Sequence, residues 1–442
     1  MMTRRSLAAL RMTAGLALAA RSLGAQAMPS TIETKIAVRK LGPVVRGSAI
    51  TFGGVQHVRR LSDGRLLVND PSRRQVLLLD STLANPVVVI DSVGGRDDSY
   101  GLRAGGIVPY RGDSTFFVDP TSSTLLLIDP AGRIAKVLSM PTNAVSYLSS
   151  PNSYGYPGFS EAFGLVFRMP SSSFRYPGQM PPEGAPEIVV RYEDSVAVVG
   201  MKLSTRRGDT IVKYGTGQVQ TMRISYNNFR SDGRNELWPT TDDWAMMADG
   251  SIALLSGREY RVRFINPDGT KSEPPRLPFA WVHNPDAEKT RIADSINAVR
   301  EKNYQERVAA YDRAQAAAKS GTAPPPRPGP AGEFRPPPGP SRPPTRPDMV
   351  TMTDVPDYFP AYEKSSNTFR ADEDNNLWIR PRPGARQAGG GQVYDIVNRK
   401  GELTDRVQLP PGRTLIGFGP GGIVYLLARD AGAVRVEEAR VR

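Results

Sequence analysis

Between Ser62 and Asp80 the chain reads S-D-G-R-L-L-V-N-D-P-S-R-R-Q-V-L-L-L-D, and degenerate copies of that phrase recur in register. Asp70-Pro71 and Leu77-Leu78-Leu79-Asp80 return 49 residues later as Asp119-Pro120 and Leu126-Leu127-Ile128-Asp129. A shift of 186 places Asp63-Gly64 on Asp249-Gly250 and residues 76–79 on 262–265. A period of roughly 40–50 residues, each carrying several short strands, is the mark of β-propeller blades. The expected fold is all-β: a six-bladed β-propeller of four-stranded antiparallel blades.

The D-G and N-G pairs sit where tight turns between strands need positive φ. Blade 1 is expected from 57–60, the Asp63-Gly64 turn, 66–69, 76–80 and 87–90. Blade 2 follows from 116–119, 125–129 and 134–138. Blade 3 is the least regular: strands at 163–168, 187–190 and 196–203, a turn at Arg207-Gly208-Asp209, and 210–214, with a Pro/Ser/Gly-rich excursion at 170–186. The region reads either as one blade with a long loop or as two poor blades, which would make seven; its single D-G-like frame favours one. Blades 4, 5 and 6 are expected from 244–269, 368–401 and 415–437. Blade 6 lacks an outermost strand of its own. Residues 32–38, where Ile32, Thr34, Ile36 and Val38 alternate with polar neighbours, are expected to supply it and close the ring.

The 2-residue period breaks once. From Asn284 to Ser320 it becomes helical, with Asn284 as N-cap, Pro285 in the first turn and Asp286 and Glu288 at the positive dipole end. Ile292, Ile296, Val299, Val308 and Tyr311 share a stripe, with a break allowed near Asn303. Such a helix suits a lid or docking arm, or simply packs on the propeller's side. Residues 322–347 hold twelve of the forty prolines and read as an extended linker. The expected organisation is therefore a leader at 1–27, blades 1–4 with the closing strand at 28–282, a helical and proline-rich insert between blades 4 and 5 at 283–355, and blades 5–6 at 356–442.

The leader expectation rests on Arg4 and Arg5, an apolar stretch to Ala20 and the Ala25-Gln26-Ala27 cleavage pattern. Thr3-Arg4-Arg5-Ser6-Leu7 also fits a twin-arginine signal, so either export route is open. The expected location is periplasmic or secreted. The net charge is +13, and losing the leader's four arginines leaves +9. An exported basic protein meets envelope polymers rather than nucleic acid. The absence of cysteine excludes disulfides and thiolate chemistry.

No nucleophile elbow, phosphate loop or metalloprotease helix is present. The two histidines, His57 and His283, lie far apart in the pattern and make no zinc spacing. Asp372-Glu373-Asp374-Asn375-Asn376 begins like a calcium loop but lacks its glycine and terminal glutamate, and the repeat makes it the blade 5 turn. The Arg-Gly-Asp triplets at 111–113 and 207–209 are likewise expected to be turns. Equivalent strand ends at Asn69-Asp70, Val118-Asp119, Leu255-Ser256 and Ile379-Arg380 make Asp70, Asp119 and Arg380 the candidate ligands of a channel mouth. The bland reading is that Asp-Pro merely starts a turn.

Residues 243–253, Tyr260-Arg261-Val262, Pro267-Asp268-Gly269, the helical and proline-rich insert, 374–380 and Arg406-Val407-Gln408-Leu409-Pro410 together resemble exported bacterial six-bladed β-propellers of NHL-like type. The resemblance spans most of the chain after residue 27 and is strongest from Asp242 onward. It implies six blades and an extracytoplasmic location, and it carries over no catalytic residues. The expected function is a monomeric, non-enzymatic module for a protein, peptide or glycan partner, with no resident metal or cofactor. The alternative is a metal-dependent, calcium-type hydrolase or lactonase-like enzyme at the channel.

Overall fold

The computed structural model describes residues 31–441 except 33, 93–98, 150–154, 171–180, 187, 226–227, 232–237, 239–240, 321–342, 345, 363–366 and 383–389. Residues 1–30, and with them the expected leader, lie outside the described set, as does most of the proline-rich segment.

Six sheets, each built on four antiparallel strands, are found among the described residues. Blade 1 comprises His57–Arg60, Leu66–Asp70, Gln75–Leu79 and Val87–Ile90. Its two middle strands are buried along almost their whole length, which is why they read as continuous apolar runs rather than as an alternation. Blade 2 repeats the plan from Gly106–Pro109 to Ile134–Ser139. Blade 4 runs from Asp243–Met246 to Lys271–Ser272, blade 5 from Phe369–Ala371 to Leu403–Gln408, and blade 6 from Arg413–Gly419 to Ala433–Arg440. The D-G turns fall where the repeat puts them, with Gly64 at φ 89° and Gly250 at φ 82°.

The core lies between blades. Leu66, Val68 and Leu77 of blade 1 cluster with Ile416, Tyr425 and Val436 of blade 6, and each of the other five junctions has its own apolar cluster. Six junctions for six blades means that the ring is closed.

Blade 3 is a single blade. Gly158–Ser160, Gly164–Pro170, Ile188–Lys202 and Arg207–Ser225 pair in order, and Asn228–Ser231 adds a fifth strand. Its third and fourth strands are continuous, where sequence reading expected the third to be interrupted. The second Arg-Gly-Asp triplet is not a turn. Lys202 pairs with Arg207, so residues 203–206 turn instead, and Arg206 carries the positive φ of 55°. Glycine at 208 serves close approach, since a Cβ there would meet Val199 Cγ1 at 2.8 Å. The first triplet does lie in a blade turn. Between blades 2 and 3 a helix, α1 (Thr142–Ser149), packs Ala144, Val145 and Leu148 into the junction; sequence reading missed it.

The N-terminal segment closes the ring with other residues than expected. Val44–Gly47 pairs antiparallel with Ala433–Arg440 as the missing outer strand of blade 6, while Arg39–Lys40 lies parallel to blade 5's last strand. Residues 34–38 form no strand, and Ile32 makes only an isolated bridge to Phe279. All four residues of Val44–Gly47 are exposed, so no alternation marks that edge strand in the sequence. The clamp's anchor is Leu41, buried in the blade 5–blade 6 cluster. Leu41→Ala is therefore expected to cost about 2–3 kcal/mol in denaturant unfolding. Val45→Ala, at a position 60% exposed, should stay within about 0.5 kcal/mol. Equal costs would refute the clamp.

The insert leaves after Ser272 and returns before Phe369. Its helix, α2 (Asp286–Lys319), is unbroken at Asn303. Ala293, Ile292 and Ile296 pack on Val350, Val355 and Trp238, and Asn297 exchanges two 2.8 Å hydrogen bonds with the Val350 backbone. Val299, expected on that stripe, is 58% exposed. The helix thus docks on its own return segment.

Candidate functional site

In every blade the first strand runs beside the ring axis. These strands enclose a cavity of about 600 Å³. Blade 1 supplies His57, Arg59 and Arg60, and blade 5 supplies Arg370 and, just past its first strand, Glu373. Tyr156, Phe159, Met246 and Phe418 give the wall its apolar faces. Charged residues on strands this close to the axis are affordable only if each charge finds a partner, a carbonyl or a ring.

Arg59 finds carbonyls. Its guanidinium donates to Thr115 Oγ1 at 2.6 Å, Gly112 O at 2.5 Å and Tyr110 O at 3.3 Å, and also to Ser114 O. Burial still lowers its pKa to about 10, against the opposing fields of Asp113 and Glu373. His57 is buried, with Nδ1 3.2 Å from Ile107 O and its ring 5.0 Å from that of Tyr156. That contact assigns the proton to Nδ1 and leaves Nε2 as the acceptor. Burial, then the neighbouring Arg370 and Arg59 charges, push its pKa down to about 3, so the ring is neutral at pH 7.

Arg370 finds rings. Its guanidinium carbon lies 3.9 Å from the Tyr156 ring centroid and 5.0 Å from that of Phe418. Tyr156 is held in turn by its hydroxyl, which donates to Asn367 Oδ1 at 2.9 Å. The carboxyls at the cavity's edge differ in state. Asp113 accepts from Ser62 N and Oγ at 2.9 and 2.5 Å. Asp372 is committed to its own turn, accepting from Asn376 N at 2.7 Å and Trp378 Nε1 at 3.0 Å. Glu373 has an open side chain, yet the surrounding walls push its carboxyl up to about 7 against the pull of Arg59 and Arg60.

Asp70, Asp119 and Arg380 do not line this cavity. Asp70 is fully buried, and its carboxylate accepts from the backbone N–H of Gly53, Gly54 and Arg73 at 2.7, 3.0 and 3.1 Å. Asp119 accepts from Thr121 N, Ser122 N and Ser122 Oγ at 3.0, 3.1 and 2.6 Å. Arg380 follows blade 5's second strand, its N–H bonded to Thr368 O at 2.8 Å. All three sit where second strands end, whereas the cavity reaches Ser62, Asp113 and Glu373 where first strands end. In an antiparallel blade those are opposite faces of the ring. The insert, leaving from a fourth strand and entering a first, is attached at the face of Asp70. The signal for the true cavity was available: charged residues inside innermost strands, at 57–60 and 369–371.

Among the described residues no three His, Asp or Glu side chains converge as a metal cluster, and no helix is long and apolar enough to cross a membrane. No known family model matches the chain, and no curated protein sequence matches it. Solved structures are similar over most of its length. A DUF4221 family member from Bacteroides vulgatus is 8% identical with a TM-score of 0.39, covering 93% of this chain and 99% of that one. A Bacteroides thetaiotaomicron protein of unknown function is 10% identical, TM-score 0.36, over 93% and 75%. A calcium-binding protein, regucalcin, from Agrobacterium tumefaciens is 9% identical, TM-score 0.31, over 92% and 98%. At such values the likeness carries no functional inference, and the chain's own six paired sheets are what make it a six-bladed β-propeller.

Proposed function

We propose that this protein is an exported, non-enzymatic binding module whose axial cavity receives the end of a peptide, protein or glycan partner. The observation that carries this reading is the cavity wall itself: aromatic faces interleaved with arginines, the composition of recognition sites. Two of the cavity's carboxyls are held by the protein itself, Asp113 by Ser62 and Asp372 by Trp378, while His57 Nε2 and Glu373 stay open to a ligand. Export is supported by the residue pattern at 1–27.

The test is titration of the purified protein with cell-envelope peptides and oligosaccharides, followed by calorimetry. Saturable binding is expected, weakened by at least about ten-fold, or roughly 1.4 kcal/mol, in Tyr156→Ala. The metal-dependent alternative makes the opposite forecast. It requires a stoichiometric divalent ion that survives dialysis, together with turnover of a lactone or ester that stops when the ion is chelated. That outcome would replace the binding reading.

A further inference from the structure

Arg370 is 6% exposed, lines the cavity, and has a buried Nη1 with no hydrogen-bond partner. Among the described residues no carboxylate pairs with it, in contrast to Arg413, which holds Asp430 and Glu437. Ring faces stabilise a guanidinium from above, but they leave the N–H groups at its edge unsatisfied. A desolvated cation short of hydrogen bonds is costly, and that cost disappears when an anion supplies the acceptors. Arg60, on the same wall, likewise keeps a buried Nε without a partner. The neighbouring His57 is neutral and offers no competing anion.

We infer that the cavity holds a carboxylate-recognition subsite centred on Arg370, which selects ligands carrying one carboxylate on an apolar or aromatic body. A guanidinium packed against two rings keeps its edge for hydrogen bonds, and a planar carboxylate matches that edge with parallel ones. A single negative charge fits better than a dianion, because the carboxyls of Asp113 and Asp372 also line the cavity and repel excess charge. The body lies against Tyr156, Phe159 and Met246. A volume of about 600 Å³ admits a small molecule or a chain end rather than a folded domain. The carboxylate's source is therefore a free organic acid or the C-terminal residue of a peptide. This inference rests on the binding reading above and makes it specific.

The test uses matched pairs on the full secreted protein: 4-phenylbutyrate against its amide, and acetyl-Ala-Ala-Ala-Phe against its C-terminal amide. Each acid should bind at least about ten-fold more tightly than its amide, and the tighter of the two acids identifies the source. Because the chain has only two histidines, the His57 ring signals can be followed directly by NMR. At neutral pH acid binding should displace the His57 ring signals, which lie beside the Arg370 charge, further than amide binding does. Arg370→Gln should abolish the acid preference. The acid–amide contrast on the unsubstituted protein stands even if that variant fails to fold. Equal binding of acids and amides overturns the carboxylate subsite but leaves the binding reading intact. No binding by either acid also overturns it, and the binding reading then depends on the envelope-ligand titration alone.

Discussion

Trp378→Ala is expected to lower the unfolding free energy by about 3–5 kcal/mol, among the largest losses available to a single substitution in this chain. Trp378 is 1% exposed in the cluster joining blades 5 and 6. Its ring lies 5.7 Å from Tyr394 in an edge-on contact and 5.3 Å from Phe418 in a tilted one. It also donates Nε1–H to Asp372 Oδ2, and Asp372 is a buried carboxyl whose pKa burial already raises. Removing the indole leaves a cavity and takes one donor from a desolvated acid, two losses of different kind. Trp378→Phe keeps most of the packing and loses the donor, so its cost should be smaller, about 1–2 kcal/mol. Denaturant unfolding of the two variants separates the contributions. Equal costs would mean that packing at this junction is unimportant.

The second large effect is acid lability at His57. The unfolded histidine titrates near its usual 6.5, whereas the buried one holds out to about 3. Between those values the unfolded state binds the proton and the native state does not, so stability is complete above pH 6.5 and falls as pH falls. From pH 6.5 to 4 the loss from this residue alone is about 3 kcal/mol. His57→Gln should remove it, giving a shallower acid limb in unfolding curves measured across that range. Glu373 works the other way. Its raised pKa makes stability fall as pH climbs from its ordinary carboxyl value toward about 7, and the side chain's openness keeps that contribution small. Because both proteins carry Glu373, the difference between their curves reports His57. Superimposable acid limbs would show that the histidine is not desolvated in solution.

The blade plan was legible because it is written locally. Asp63-Gly64 and Asp249-Gly250 form the turns their residue types demand, and Asp372 to Asn376 forms the expected blade 5 turn. The helix Asp286–Lys319 follows from its period and its acidic first turn, although Asn284, expected as its N-cap, lies two residues before it and donates to Pro356 O. Errors arose where local chemistry had two solutions. Gly208 reads as a turn residue, but its small size serves a cross-strand contact, and Arg206 takes the strained φ instead. Val44–Gly47 carries no pattern because an exposed edge strand is selected for backbone pairing alone. Asp70 and Asp119 were picked as ligands because they recur in the repeat, but they recur because each accepts from its own backbone turn.

By itself the sequence determined the repeating strand unit, the single helical interruption and the need for an N-terminal strand to complete the last blade. Periodicity and turn chemistry act over a few residues, so they survive without any knowledge of the ring. The tertiary structure decided which strand closes the ring, which face carries the insert, and that Arg370, His57 and Tyr156 meet at the axis. Those three residues come from blades 5, 1 and the approach to blade 3, and only closure of six blades brings such distant segments together. Burial at that meeting point makes His57 neutral and leaves Arg370 Nη1 without an acceptor, and neither property exists in the isolated strands.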